Sequence, residues 1–122
     1  MSREEGSTSV LVAAMLAMVV VLALGAADVA KVIAASGRAQ TAADAAALAA
    51  AQELAIPSGL SPSDIAAGYA ALNGATLLDC VCASGSFEAI VEVRLDVGDL
   101  FLFDGGRAVV AEARAVVSMP GG

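Results

Sequence analysis

From Val10 to Ala27 the chain runs for 18 residues without a polar side chain, about the length that crosses a bilayer core as a helix. Arg3, Glu4, Glu5 and Gly6 precede this run. An alanine-rich stretch follows it to about Leu54, punctuated by Asp28, Lys31, Arg38, Gln40, Thr41, Asp44, Gln52 and Glu53. Alanine is the best helix former and no proline occurs before Pro57, so the pattern predicts one helix from about Ser9 to Leu54, roughly 68 Å long at 1.5 Å per residue. Only its first part suits lipid: residues 7–27 read as a transmembrane half and 28–55 as an amphipathic half. Asp28 and Lys31, three residues apart, read as an ordinary solvated pair near the membrane surface. Small residues at Ala13 and Ala17, then at Ala26, Ala30 and Ala34, would let another helix approach closely.

Pro57-Ser58-Gly59 ends the long helix, and Ser61-Pro62-Ser63-Asp64 starts a short one over about 62–72. Ser61 stands at the N-cap, Pro62 at the first helical position and Asp64 at the third, as in a capping box. Ile65, Tyr69 and Leu72 share one face, which predicts packing, and Asn73-Gly74 closes the helix. Thereafter the period changes to two. Phe87, Ala89, Val91, Val93, Leu95 and Val97 point one way while Glu88, Glu92, Arg94 and Asp96 point the other. Upstream, Leu78, Cys80 and Cys82 alternate in phase, and Gly85-Ser86 suits a two-residue type II′ turn. That turn would place Cys82 opposite Ala89, Cys80 opposite Val91 and Leu78 opposite Val93. A third strand turns Val109, Ala111, Ala113, Ala115 and Val117 inward. Placing Arg94 opposite Glu112 and Glu92 opposite Arg114 matches two outer charge pairs at once. The expected fold is α+β: a long N-terminal helix, a short second helix, and a three-stranded antiparallel meander over about 76–84, 87–97 and 107–117. The head, residues 56–122, can bury only a modest core alone and is expected to lean on the helix.

Composition narrows the function classes. With 122 residues there is room for one small domain, and a net charge of −7 with six Lys and Arg argues against a nucleic-acid partner. The chain has no His, and its carboxylates scatter over helix faces and strand exteriors instead of grouping in a pocket. An enzyme is therefore not expected, nor a cofactor, a metal or a small-molecule substrate. Cys80-Val81-Cys82 is too sparse for structural zinc. Alternate strand positions lie about 6.6–6.8 Å apart, so a bond between these cysteines needs a bent strand. Buried free thiols and a disulfide, internal or to a partner, both stand open. Both thiols are expected to face the helix. In the loop from Gly98 to Gly106, Leu100-Phe101-Leu102-Phe103 either folds back onto the helix to finish a small core or forms a partner-binding patch.

The run Gly25-Ala26-Ala27-Asp28-Val29, leading to Arg38-Ala39-Gln40-Thr41-Ala42-Ala43-Asp44-Ala45-Ala46-Ala47-Leu48-Ala49-Ala50-Ala51, resembles the N-terminal helix of the TadE/TadG-like family of tight-adherence (Flp/Tad) pilus proteins. The resemblance covers about Ser2 to Leu54. In length and in its strand-built head the chain looks most like the small TadE-like proteins of high-GC Gram-positive bacteria. The resemblance implies a minor pilin or pseudopilin, a type IV pilin-like structural subunit of a Tad pilus or related secretion apparatus. Its partners would be other pilin or pseudopilin subunits, the membrane and a prepilin peptidase. The peptidase would remove residues 1–6 by cutting between Gly6 and Ser7, leaving a single-pass membrane protein with its head outside the cytoplasm or, once assembled, in an extracellular pilus. Two features depart from the family pattern: Leu11 occupies the fifth mature position, where that pattern has Glu, and Ser7 replaces a larger first residue. Two other readings fit the apolar segment. One is a secreted soluble domain released by a cut after Gly25-Ala26-Ala27, although the leader lacks a basic n-region. The other is an uncleaved, membrane-anchored interaction protein, for which Arg3 against Lys31 and Arg38 gives little orienting charge.

Overall fold

A computed structural model describes residues 2–103 and 107–118, with side chains from Gly6 onward. Met1, the end of the 98–106 loop and the last four residues of the head lie outside the described residues. One helix, α1, runs unbroken over Ser2–Ala55. It starts seven residues before the expected Ser9 because the poorest helix former there, Gly6, costs about 1 kcal/mol, too little to interrupt a helix already propagating. At its other end Pro57 stops it. The second helix, α2, spans Pro62–Leu72, and its N-cap Ser61 accepts the Asp64 N–H. Three strands follow: β1 over Thr76–Val81, β2 over Glu88–Gly98 and β3 over Arg107–Val116. They form an antiparallel sheet in the order β1-β2-β3. The expected α+β architecture is the one observed.

The core lies between the upper part of α1 and one face of the sheet. On the helix it is almost wholly alanine: Ala35, Ala39, Ala42, Ala43, Ala46, Ala47, Ala50 and Ala51 recur at spacings of three and four and are buried. Across from them stand Ala89, Val91, Val93, Leu95, Ala111 and Ala113. Fully burying a valine side chain contributes about 1.5–3 kcal/mol, so Val91 and Val93, both all but inaccessible, are the densest anchor of the sheet on the helix. The stripe of Ala26, Ala30 and Ala34 stays exposed.

Helix α2 packs through Ala66 and Ala70, not through the large residues expected. Tyr69 and Leu72 are exposed and Ile65 is only half buried. Two helices that approach closely need small side chains at the contact, and the alanine face of α2 meets that need.

The strand faces follow the alternation except at Leu78 and at Phe87, which precedes β2, both exposed where an inward position is expected, and the pairing differs in three places. Arg94 stands opposite Val110 and Glu92 opposite Glu112, so neither expected charge pair forms. The shift is by two residues, which leaves every side chain on its predicted face. It sets Val91 beside Ala113 and Val93 beside Ala111. Burial on the inner face selects the register, because exposed ion pairs contribute only about 0.2–1 kcal/mol each. Arg114 still finds a carboxylate, reaching diagonally to Glu88 at 2.7 Å. In β1 an irregularity between Leu77 and Asp79 turns Leu78 outward and puts Leu77 opposite Val93, while Cys80 does pair with Val91. The hairpin turn is Ser84-Gly85, one residue earlier than Gly85-Ser86. Ser86 N–H donates to Ala83 C=O, and Gly85 takes the third turn position with φ +88°, where a type II turn favours glycine. Strand β1 therefore ends at Val81, and Cys82 has no ladder partner in Ala89.

Candidate functional site

Asp28 is the first charged residue after the apolar run, and it is fully buried although Ala26, Val29 and Ala30 beside it on the helix are exposed. Its two carboxylate oxygens accept the backbone N–H groups of Phe101 and Leu102, each at 2.7 Å. Burial by itself pushes this carboxyl up. The amides of Phe101, Leu102 and Phe103, with the Lys31 charge, outweigh that and hold it below the ordinary aspartate range. Lys31, one turn further, donates to Asp99 C=O at 2.8 Å and places Nζ 4.6 Å from the centre of the Phe101 ring. The Arg107 guanidinium lies 5.5 Å from the Phe103 ring. Leu102 reaches back to Gly25, where a Cβ would stand 3.4 Å from its Cδ1. Asp28 and Lys31 are thus not a solvated pair. Each grips the β2–β3 loop.

That loop is pinned to α1 by its backbone, while most of its large side chains stay exposed. Leu100 is half buried, but Phe101, Leu102 and Phe103 are 62%, 46% and 49% exposed, so the four do not complete a core. With Val29, Val32 and Ile33 of α1, Leu100 and Phe103 line a shallow apolar groove.

A second carboxylate does similar work at the far end of α1. Glu53, buried, accepts Ser58 N–H at 2.7 Å, the Ser58 hydroxyl at 2.8 and 2.9 Å, and Leu60 N–H at 3.2 Å. The Ser58 amide and hydroxyl lower its pKa more than burial raises it. The chain leaving α1 is thereby turned toward α2. Cys80 and Cys82, both half buried against the core, are joined by a disulfide with Cα atoms 5.5 Å apart. The span is shorter than two extended residues because the strand ends between them. Among the described residues no group of three or more Cys, Asp or Glu side chains converges as a metal site would require. At the other end of the molecule Gly6 and Ser7 lie in α1 and are exposed.

These features divide α1 into a bare apolar length, a loop clasp at Asp28 and a covered alanine length. Residues 6–53 match the Flp pilus-assembly TadE/G-like family. The matched TadE/G-like segment begins at Gly6 and ends at Glu53, so it takes in nearly all of α1, both carboxylates included, and none of the groups they bind. No curated protein and no solved structure matches the chain. The match is to a pilus-assembly family and covers this segment alone. The bare part of α1 is long and apolar enough to cross a membrane.

Sequence reasoning missed Glu53 and the role of Asp28. For Glu53 a local signal existed: an acid in the last turn of a helix is unfavourable to the helix dipole, so its presence before Pro57-Ser58-Gly59 asks for donors beyond the helix end. For Asp28 the partners are backbone amides more than 70 residues away, which no side-chain pattern reveals.

Proposed function

We propose that this protein is a minor pilin or pseudopilin of a Tad-type pilus or a related secretion apparatus. In this reading it is made with a six-residue leader and held in the membrane by residues 7–27, with the head outside the cytoplasm. The observation that carries it is the unbroken helix. One TadE/G-like segment is bare where lipid or neighbouring subunits can sheathe it, then passes directly into the core of its own head.

Gly6 supports processing. It has no positive φ, and nothing lies within 4 Å of where a Cβ would stand, so the fold gives glycine no advantage over alanine there. A peptidase that admits only glycine before its cut does. A cut after Ala27 fits less well, because the helix continues through that point and Leu102 covers Gly25.

Leu11 supports a minor role. In pilins that carry it, the family Glu neutralises a neighbour's new amino terminus, since an uncompensated charge inside an apolar bundle is strongly unfavourable. Leu11 cannot, and the next acid after the cut, Asp28, lies about 26 Å further along the helix and is already bound to the loop. Such a chain fits a tip or a rare insertion beside partners that keep the Glu.

Amino-terminal sequencing and intact mass of the native protein test the reading. A mature chain beginning at Ser7, and retention of the leader by Gly6→Leu, are expected. A chain beginning at Asp28 would make it a secreted domain, and one retaining Arg3 a permanent anchor. The purified mature protein should stay monomeric or form small complexes in detergent; ordered filaments from it alone would overturn the minor-subunit assignment.

A further inference from the structure

The clasped loop lies at one particular level of the molecule, the exit of the apolar run. Leu102 lies over Gly25, Asp28 binds the amides of Phe101 and Leu102, and Leu100 and Phe103 line one groove with Val29 and Ile33. A hydrocarbon core needs about 20 helical residues, so a run that starts at Val10 ends where the loop begins. We propose that Leu100–Phe103 is a membrane foot: in the membrane-inserted subunit, Phe101, Leu102 and Phe103 enter the headgroup–acyl boundary beside α1 and set the height and tilt of the head above the bilayer. The proposal rests on the membrane-anchored reading above.

Three observations argue for lipid as the occupant. The apolar surface is continuous: the bare helix below, from Val10 to Leu22, leads up to exposed Val29 and Ile33 and to the three exposed loop side chains. The loop also brings its own hydrogen-bond partners. Peptide groups resist leaving water unless they are paired, and here Phe101 N–H, Leu102 N–H and Asp99 C=O are already taken by Asp28 and Lys31. Finally, two of the three phenylalanines in the chain are here, and each has a cation against its ring, Lys31 on Phe101 and Arg107 on Phe103. Aromatic rings with long basic side chains that can reach the phosphates are the chemistry of a membrane–water interface. With a net charge of −7 on the chain, apolar insertion and not attraction to anionic lipid must dominate, so a zwitterionic bilayer suffices.

The absence of Trp makes a direct test possible. Single-tryptophan variants of the full chain, Phe101→Trp, Phe103→Trp, Phe87→Trp and Val19→Trp, are reconstituted in phosphatidylcholine vesicles whose acyl chains carry bromine either near the headgroup or near the chain end. The replaced side chains are all exposed, so each variant should fold. Phe87 is a control remote from the membrane: the adjoining turn at Ser84-Gly85 lies beside Pro57 and Gly59, just past the end of α1 and roughly 40 Å up the helix from Asp28. Val19→Trp reports insertion of α1 and should be quenched most by the deep bromine. The expected result for Phe101→Trp and Phe103→Trp is a blue shift and about a twofold loss of emission with the shallow bromine, while Phe87→Trp is unaffected. If Val19→Trp is quenched but both loop tryptophans behave like Phe87→Trp and stay open to aqueous iodide, the foot is overturned and the patch belongs to a protein partner. If Val19→Trp escapes quenching, the membrane-anchored reading itself falls and the foot falls with it.

Discussion

One length of α1 is uniformly apolar and the other amphipathic, and they solve different problems. Below Leu24 the helix carries Val, Leu and Met, and from Val10 to Leu22 every one of these large side chains is more than half its surface exposed or close to it. Above Ala35 it carries alanine, and the alanines that face the head are buried. Size separates the two. Large branched side chains project into a fluid partner that can flow around them, whereas alanine lets a sheet and a second helix approach the backbone. Hydropathy separates them as well, since Arg38, Asp44 and Glu53 interrupt the second length; only that second length has a partner within the same chain. Asp28 marks the frontier, with the loop above it and the bare helix below.

The sharpest way to break this comparison is to separate the lengths. A chain starting at Gly25, which keeps the Leu102 contact and the Asp28 clasp, should be soluble and folded without detergent, while the full chain should sediment with membranes. Circular dichroism and analytical ultracentrifugation check this; an aggregated or unfolded short chain would mean that the head depends on the bare half. Next in size is a matched pair of substitutions. Ala46→Leu forces bulk into the close-packed alanine face and should destabilise the head by about 1–3 kcal/mol, whereas Ala17→Leu should leave its melting temperature unchanged.

Asp28→Asn should have a smaller, local effect. It removes the negative charge that two amides point at, so exchange at Phe101 and Leu102 should quicken while Val91 and Val93 keep their protection. The pH dependence of the native protein follows from the same contacts. Asp28 and Glu53 both have folded pKa values lowered from ordinary values of 3.8 and 4.5. Their contribution is therefore full above those values and is lost as pH falls through the lower folded values. Protection of Phe101, Leu102, Ser58 and Leu60 amides should hold through mildly acidic pH and fail only below about 4. The smallest change expected is on the outer sheet face, where Glu92 faces Glu112. Glu112→Lys should stabilise by about 0.2–1 kcal/mol in thermal melts at low salt.

The alternation of Ala89, Val91, Val93 and Leu95 with Glu88, Glu92, Arg94 and Asp96 was enough to read the sheet faces, and Ser61-Pro62 enough to start α2 at the right residue. What could not be read follows from weak or distant forces. Exposed charge pairs suggest a β2–β3 register, but their energies are too small to compete with burial of Val91 and Val93. The largest apolar residues of α2 suggest one packing face, but close helix contact selects Ala66 and Ala70. The irregularity at Leu78 leaves no mark in an alternation only three residues long. The clasp was hidden for a different reason: Phe101 and Leu102 attract notice through their side chains, but Asp28 binds their backbone.

Hydrogen exchange on the full chain in phospholipid nanodiscs, compared with the chain starting at Gly25 in buffer, tests most directly that one length of the helix needs an outside partner and the other does not. Residues 42–51 should show the same protection in both samples, and residues 10–24 should be protected in the nanodisc, where lipid excludes water from the bare helix. Loss of protection over 42–51 in the shortened chain, or rapid exchange over 10–24 in the nanodisc, would contradict that division of α1.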